Sequence, residues 1–105
     1  MKDPRWAALE RAEPLLGSAF AEEGVTAVRF VAAFPALDSV GVWLCTTTDA
    51  ERERLVNAPD VSARAARCLR DAGLNALDEA DLATTVQSEE TVARDYQGSW
   101  FYAMR

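Results

Sequence analysis

Apolar residues recur at helical spacing near the start of the chain, at Trp6, Leu9, Ala12, Leu16 and Phe20. This period places them on one face and predicts an N-terminal helix. Asp3 and Pro4 suit its N-cap and first turn, and Gly24 suits its end. Pro14 falls inside the pattern, and we expect it to kink the helix or to split it.

The next two segments, residues 25–34 and 40–48, are rich in β-branched and aromatic residues and alternate in polarity. They predict two strands. Residues 35–39 contain proline and aspartate and have the length of a hairpin turn. Both faces of this hairpin are largely apolar, so helices must cover one face. The other face needs a second layer or another subunit.

Beyond the hairpin, Asp49 resembles the N-cap of a helix that residues 57–59 break, and residues 61–72 predict a second helix. Residues 82–87 predict a strand, and Ser88 can cap a short helix. Residues 99–104 alternate like a last strand. The order α-β-β-α-β-α-β over residues 1–105 predicts a single α+β domain. We expect a small, mostly antiparallel sheet of about four strands, with helices mainly on one face.

The net charge of the 105-residue chain is −6. Residues 71–95 contain seven acidic side chains and one basic one, so this segment carries the whole surplus. Such a segment attracts basic protein surfaces and repels nucleic acids and anionic membranes. Residues 51–70 are locally basic, but we interpret their arginines as an exposed helix face with Glu–Arg pairs. The acidic segment predicts a partner-binding patch or a solvated face, and the patch would consist of Asp78, Glu79, Asp81, Glu89, Glu90 and Asp95.

A second candidate surface combines aromatic residues with arginine. Arg29 and Trp43 lie on the same side of the hairpin if Val28 and Phe30 face the helices, and Trp100 and Tyr102 could join them. Trp, Tyr and Arg dominate the energetic centres of protein interfaces. These four residues therefore predict a partner-binding surface or the seam of a homodimer. Burial of the tryptophans in the core is the alternative.

Most catalytic chemistries are disfavoured by the residues present. The chain contains no histidine, which excludes Ser-His-Asp and Cys-His catalysis within one chain and leaves too few ligands for structural zinc. Residues 77–82, L-D-E-A-D-L, resemble the Walker B box of DEAD-box helicases, but the phosphate-binding loop that this box needs is missing. We predict no catalytic residue, metal or cofactor, although a small carboxylate-dependent enzyme remains an alternative.

Cys45 and Cys68 are isolated in sequence, and the N-terminal residues are charged. We therefore expect two reduced thiols in a cytoplasmic protein with no membrane span. Small acidic α+β chains are similar in type to immunity proteins, which neutralise basic, nucleic-acid-acting toxins, but no motif is matched residue by residue. The sequence predicts a module that binds a basic protein, as an inhibitor or immunity protein. A homo-oligomeric accessory or regulatory domain is the alternative.

Overall fold

A computed structural model gives the fold for residues 4–32, 40–74 and 82–104. The predicted N-cap at Asp3 and the turn at 35–39 lie outside these residues. The elements follow the chain as α1 (Pro4–Ala19), a 3-10 turn (Ala21–Glu23), β1 (Val25–Ala32), β2 (Val40–Thr46), α2 (Asp49–Val56), α3 (Val61–Asp71), β3 (Leu82–Ser88), α4 (Glu89–Asp95) and α5 (Trp100–Ala103).

The predicted α+β class is confirmed, but the strand count and the strand directions are corrected. The described residues form a three-stranded sheet in the order β1-β2-β3. β1 and β2 are antiparallel, whereas β2 and β3 are parallel, so the sheet is mixed. Two parallel neighbours cannot be joined by a tight turn, and α2 and α3 supply the crossover between them.

The predicted last strand is wrong, because residues Trp100–Ala103 form the short helix α5. The hydroxyl of Ser99 accepts a hydrogen bond from the backbone N–H of Tyr102 at 3.4 Å, which caps this helix turn. Just before it, Gln97 and Gly98 have φ values of 53° and 79°. This left-handed backbone separates α4 from α5 and turns the chain before another strand can begin.

The helix-covered face of the sheet carries the core. Val28, Val42, Leu44 and Val86 are buried there, and they pack with Leu16 and other apolar residues of α1 and α3. α1 runs through Pro14 without a break, so the split, one of the two outcomes expected at this position, does not occur. Proline leaves one carbonyl of the preceding turn without its helical donor, and packing of the buried side of α1 against the sheet and α3 sustains the helix.

Arg64 ties α3 to the end of α1. Its guanidinium nitrogens Nη2 and Nη1 donate to the two carboxylate oxygens of Glu23 at 2.5 and 3.1 Å. Nη2 also donates to the carbonyl oxygen of Ala19 at 2.7 Å. The guanidinium lies 4.2 Å from the ring centre of Phe20, which is fully buried. A planar group that bonds a carboxylate with two nitrogens and stacks on a ring fixes orientation in a way that lysine cannot.

A β-bulge changes which residues of β1 share a face. Val25 pairs with Thr46 and Ala27 pairs with Cys45, so Thr26 is the extra residue. The side chain of Thr26 donates to the carbonyl oxygen of Cys45 at 3.4 Å. Because one additional residue reverses the alternation, Val25 joins the buried face with Val28. Strict alternation from residue 25 would have placed Val25 on the opposite face, with Arg29.

Candidate functional site

The second face of the sheet, which we call the open face, is built from three rows of register partners. Each row crosses β1, β2 and β3 in turn, because the pairing of the central strand fixes its neighbours on both sides. The rows are Val31–Gly41–Ala83, Arg29–Trp43–Thr85 and Ala27–Cys45–Gln87. The first row has small side chains on two strands, the second holds the large polar and aromatic groups, and the third ends in a polar amide.

The C-terminal segment covers only part of the open face. The guanidinium carbon of Arg29 lies 5.1 Å from the ring centre of Trp100 in α5, a cation–π distance. In the third row Cys45 and Gln87 are buried. In the first row Val31 is 52% exposed. The open face is therefore buried near the carboxyl end of β2, at Cys45 and Gln87, and exposed near the beginning of this strand.

The pKa of the Cys45 thiol is affected by the charged side chains near the buried part of this face. Burial raises its pKa, the nearby guanidinium of Arg29 opposes that shift by charge and by a hydrogen bond, and Glu89 adds slightly to it. The thiol is therefore protonated at neutral pH and is a poor nucleophile. The charges of Arg29 and Glu89 both affect the pKa of Cys45, so a positive and a negative side chain lie near this part of the open face.

The structure brings together three of the four residues predicted for the aromatic and arginine surface. Arg29 and Trp43 are register partners across β1 and β2, and Trp100 stacks on Arg29. Tyr102 is 57% exposed on α5. Sequence reasoning did not single out Val31, Gly41 or Ala83. The alternation of side chains along β1 and β2 indicates that the first two share this face, because Val31 lies two residues from Arg29 and Gly41 lies two residues from Trp43.

The predicted acidic patch is divided by β3. Asp78, Glu79 and Asp81 precede this strand and lie outside the described residues, whereas Glu89, Glu90 and Asp95 lie in α4, which follows it. Two of the α4 carboxylates have internal partners. Glu90 accepts the backbone N–H of Asp49 at 2.8 Å, and Asp95 accepts Nε of Arg94 at 3.1 Å. Glu89 is exposed in the first turn of α4.

A polar cluster that the sequence analysis missed, the Asp49 clasp, joins the starts of α2 and α4. One carboxylate oxygen of Asp49 accepts hydrogen bonds from the hydroxyls of Ser88 and Thr91, the latter at 2.6 Å. The other oxygen accepts Nη1 of Arg94 at 2.9 Å. Parallel β2 and β3 end side by side here, and each leads directly into its helix, so the two N-termini meet.

The chemistry of the Asp49 clasp is structural. Hydrogen bonds from Ser88, Thr91 and Arg94 hold the pKa of Asp49 well below its usual range. A carboxylate that stays ionised and fully bonded at neutral pH is a poor general base. The N-cap predicted at Asp49 lies one residue earlier, at Thr48, which forms a capping box with Glu51. Within residues 4–32, 40–74 and 82–104, no cluster of side chains could hold a metal ion.

Comparisons of the chain with protein-family models, with curated proteins and with solved structures found no match. Among the described helices, none is both long enough and apolar enough to cross a bilayer. Cys45 and Cys68 are both free thiols.

Proposed function

We propose that this protein is a binding module that contacts a basic protein through the open face of its sheet. The observation that carries the proposal is the uncovered first row of this face. Val31 is 52% exposed there, and the row lies beside Trp43, with Arg29 already held on Trp100. A contiguous apolar surface next to preordered aromatic and arginine side chains has the composition of an interface centre.

The charge of the chain supports a basic partner. The net charge is −6, and acidic residues flank β3 on both sides. Asp81 is adjacent in sequence to Leu82, at the beginning of β3, and Glu89 begins α4 at the other end of the strand. A basic partner that approaches the open face would be steered by Glu89 and by the net negative charge of the chain, so its association should be fast and sensitive to salt. Inhibition of a basic, nucleic-acid-acting toxin or enzyme is one form of this function.

The first experiment captures partners from a lysate of the source cells with the tagged protein, at low and at high salt. Two variants introduce the same change at two exposed valines, Val31→Glu on the open face and Val56→Glu on α2. These side chains are 52% and 57% exposed, and both variants add one negative charge. The proposal predicts a basic protein that Val56→Glu retains and Val31→Glu loses. Equal retention by both variants contradicts it.

Charge reversal provides a second, independent test of the proposed binding surface. Glu89→Lys alters the acidic side chain next to the open face, and Glu53→Lys makes the same change at an exposed position of α2. Glu89→Lys should slow association with the captured protein at low salt, whereas Glu53→Lys should have a smaller effect. Analytical ultracentrifugation of the wild type and of Val31→Glu tests the alternative that the protein associates with itself. A wild-type dimer that Val31→Glu dissociates would make the open face a homodimer seam and overturn the proposal of a basic partner.

A further inference from the structure

A groove runs between α1 and β1. It has a volume of about 410 Å³ and is lined by Glu13, Pro14 and Gly17 of α1 and by residues 25–28 of β1. This stretch of β1 contains the bulge at Thr26, which leaves Val25 and Val28 on the buried face and Ala27 on the other. Residues from both faces of the strand therefore line the groove.

The strand beside the groove is an edge strand. β1 pairs with β2 on one side, and among the described residues no strand pairs with its other side. Beyond the bulge at Thr26, residues 27–32 of β1 keep a regular register with β2. A regular edge can accept an additional strand by backbone hydrogen bonding, a common mode of peptide recognition.

The wall that α1 contributes is low at Gly17, which has no side chain. In the described structure, no atom other than those of the adjacent residues and of the backbone of α1 lies within 4 Å of the position that a Cβ would take there. Pro14 is exposed and lacks an N–H. Glycine in the middle of a helix lowers helix stability relative to most other residues. The groove is therefore open on the α1 side at Gly17.

Charge complementarity specifies the occupant. Among the described residues that line the groove, the charged one is Glu13, which is exposed. The chain as a whole carries a net charge of −6. We infer that the edge of β1, together with the groove along α1, binds an extended basic segment of another protein as an additional strand of the sheet. Ala27 belongs to both this surface and the open face. The variants that test the two proposals lie on different elements, Gly17→Gln on α1 and Val31→Glu at the far end of β1, so the proposals can fail independently.

The test uses synthetic peptides and the full chain labelled with ¹⁵N. The probe is an acetylated peptide of about eight residues, the length of a typical strand, with lysine alternating with valine or threonine. A matched peptide carries glutamate in place of lysine. The lysine peptide should shift the amide signals of Gly17 and residues 25–28 and slow hydrogen exchange in β1 about tenfold or more. The glutamate peptide should bind at least about tenfold more weakly, because Glu13 repels it.

Gly17→Gln places a side chain in the groove without a clash at Cβ. Since this change also replaces a helical glycine, the variant should fold with an equal or higher Tm, yet it should lose the peptide-induced shifts. Ser18→Gln, at the exposed neighbouring position, is the matched control and should keep them. Shifts that map to Trp43 and β3 and spare Gly17 and residues 25–28, equal binding of the two peptides, or no shift at millimolar peptide would each overturn the inference. Self-association that protects the β1 amides without peptide would also overturn it.

Discussion

Two valines in adjacent strands, Val42 and Val31, test whether one face of the sheet is packed while the other is open. Val42 lies in β2 on the helix-covered face and is fully buried, whereas Val31 lies in β1 on the open face and is 52% exposed. Replacement by alanine removes the same two carbons at both positions. Both changes also replace a β-branched residue by alanine, so the effect of strand propensity largely cancels.

The expected losses follow from burial. At Val42, two buried carbons contribute about 1.6 kcal/mol of transfer free energy, and a residual cavity of roughly 50 Å³ adds about 1 kcal/mol. The total is about 2.5 kcal/mol. At Val31 about half of the transfer term is present, near 0.8 kcal/mol, and no cavity forms because the position opens to solvent. Val42→Ala should therefore cost about three times as much stability as Val31→Ala.

Urea unfolding of the two variants and the wild type, followed by circular dichroism, measures this difference. The two midpoints should be clearly separated at unchanged slope, because neither change alters the surface exposed on unfolding by much. Equal losses near 2.5 kcal/mol would mean that Val31 is packed against another layer. In that case the open face would be covered, and the reasoning that makes it a binding surface would be refuted.

Three further changes test the polar contacts. Arg64→Lys keeps the charge but loses the two-nitrogen contact with Glu23, and it should lower the free energy of unfolding by about 1–2 kcal/mol in urea titrations; no loss would contradict the role of Arg64 between α1 and α3. The pKa of Asp49 is lowered in the folded state, so its contribution is present above the ordinary aspartate pKa and disappears on acidification. The difference in urea midpoint between the wild type and Asp49→Asn should shrink as pH falls from about 5 to about 2, whereas a constant difference would contradict the bonding of the Asp49 clasp. The buried hydroxyl of Thr84 has no hydrogen-bond partner among the described residues. Thr84→Val should therefore raise the free energy of unfolding by about 1 kcal/mol and raise the Tm accordingly; a lower Tm would indicate that the hydroxyl has a hydrogen-bond partner.

The helices were largely predictable because their periodicity and caps are local. Ser88 was predicted as the cap of α4, and its hydroxyl accepts the backbone N–H of Thr91 at 3.1 Å. Thr48, in contrast, was missed as the cap of α2. An aspartate and a threonine stand next to each other there, and both are good N-caps. The choice depends on Glu51, whose carboxylate accepts the backbone N–H of Thr48 at 2.9 Å.

The C-terminal helix turn shows where a pattern is ambiguous. Over six residues, the apolar sequence after Ser99 fits both a strand and a helix turn, and periodicity over so short a run cannot separate them. The Gln97-Gly98 pair predicts the end of α4, but it does not specify whether the residues that follow form a strand or a helix turn. The packing of Trp100 on Arg29, which lies far away in sequence, is a tertiary contact that local propensity does not contain.

The parallel pairing of β2 and β3 has a signal in the sequence. Two helices stand between these strands, and parallel neighbours require a connection of that length. The Asp49 clasp follows from the same topology, since it forms only where two parallel strands end together. Asp49 lies 39 to 45 residues from its partners Ser88, Thr91 and Arg94 in sequence, so no local motif could have joined it to them.

The most direct test of the central claim is the dissociation constant of the purified partner for Val31→Glu and for Val56→Glu, measured at one salt concentration. Both variants carry the same added charge at similarly exposed valines, so they differ in whether the altered residue lies on the open face. The account predicts that Val31→Glu weakens binding about tenfold or more, while Val56→Glu stays within about twofold of the wild type. Equal dissociation constants for the two variants would contradict the assignment of the open face as the binding surface.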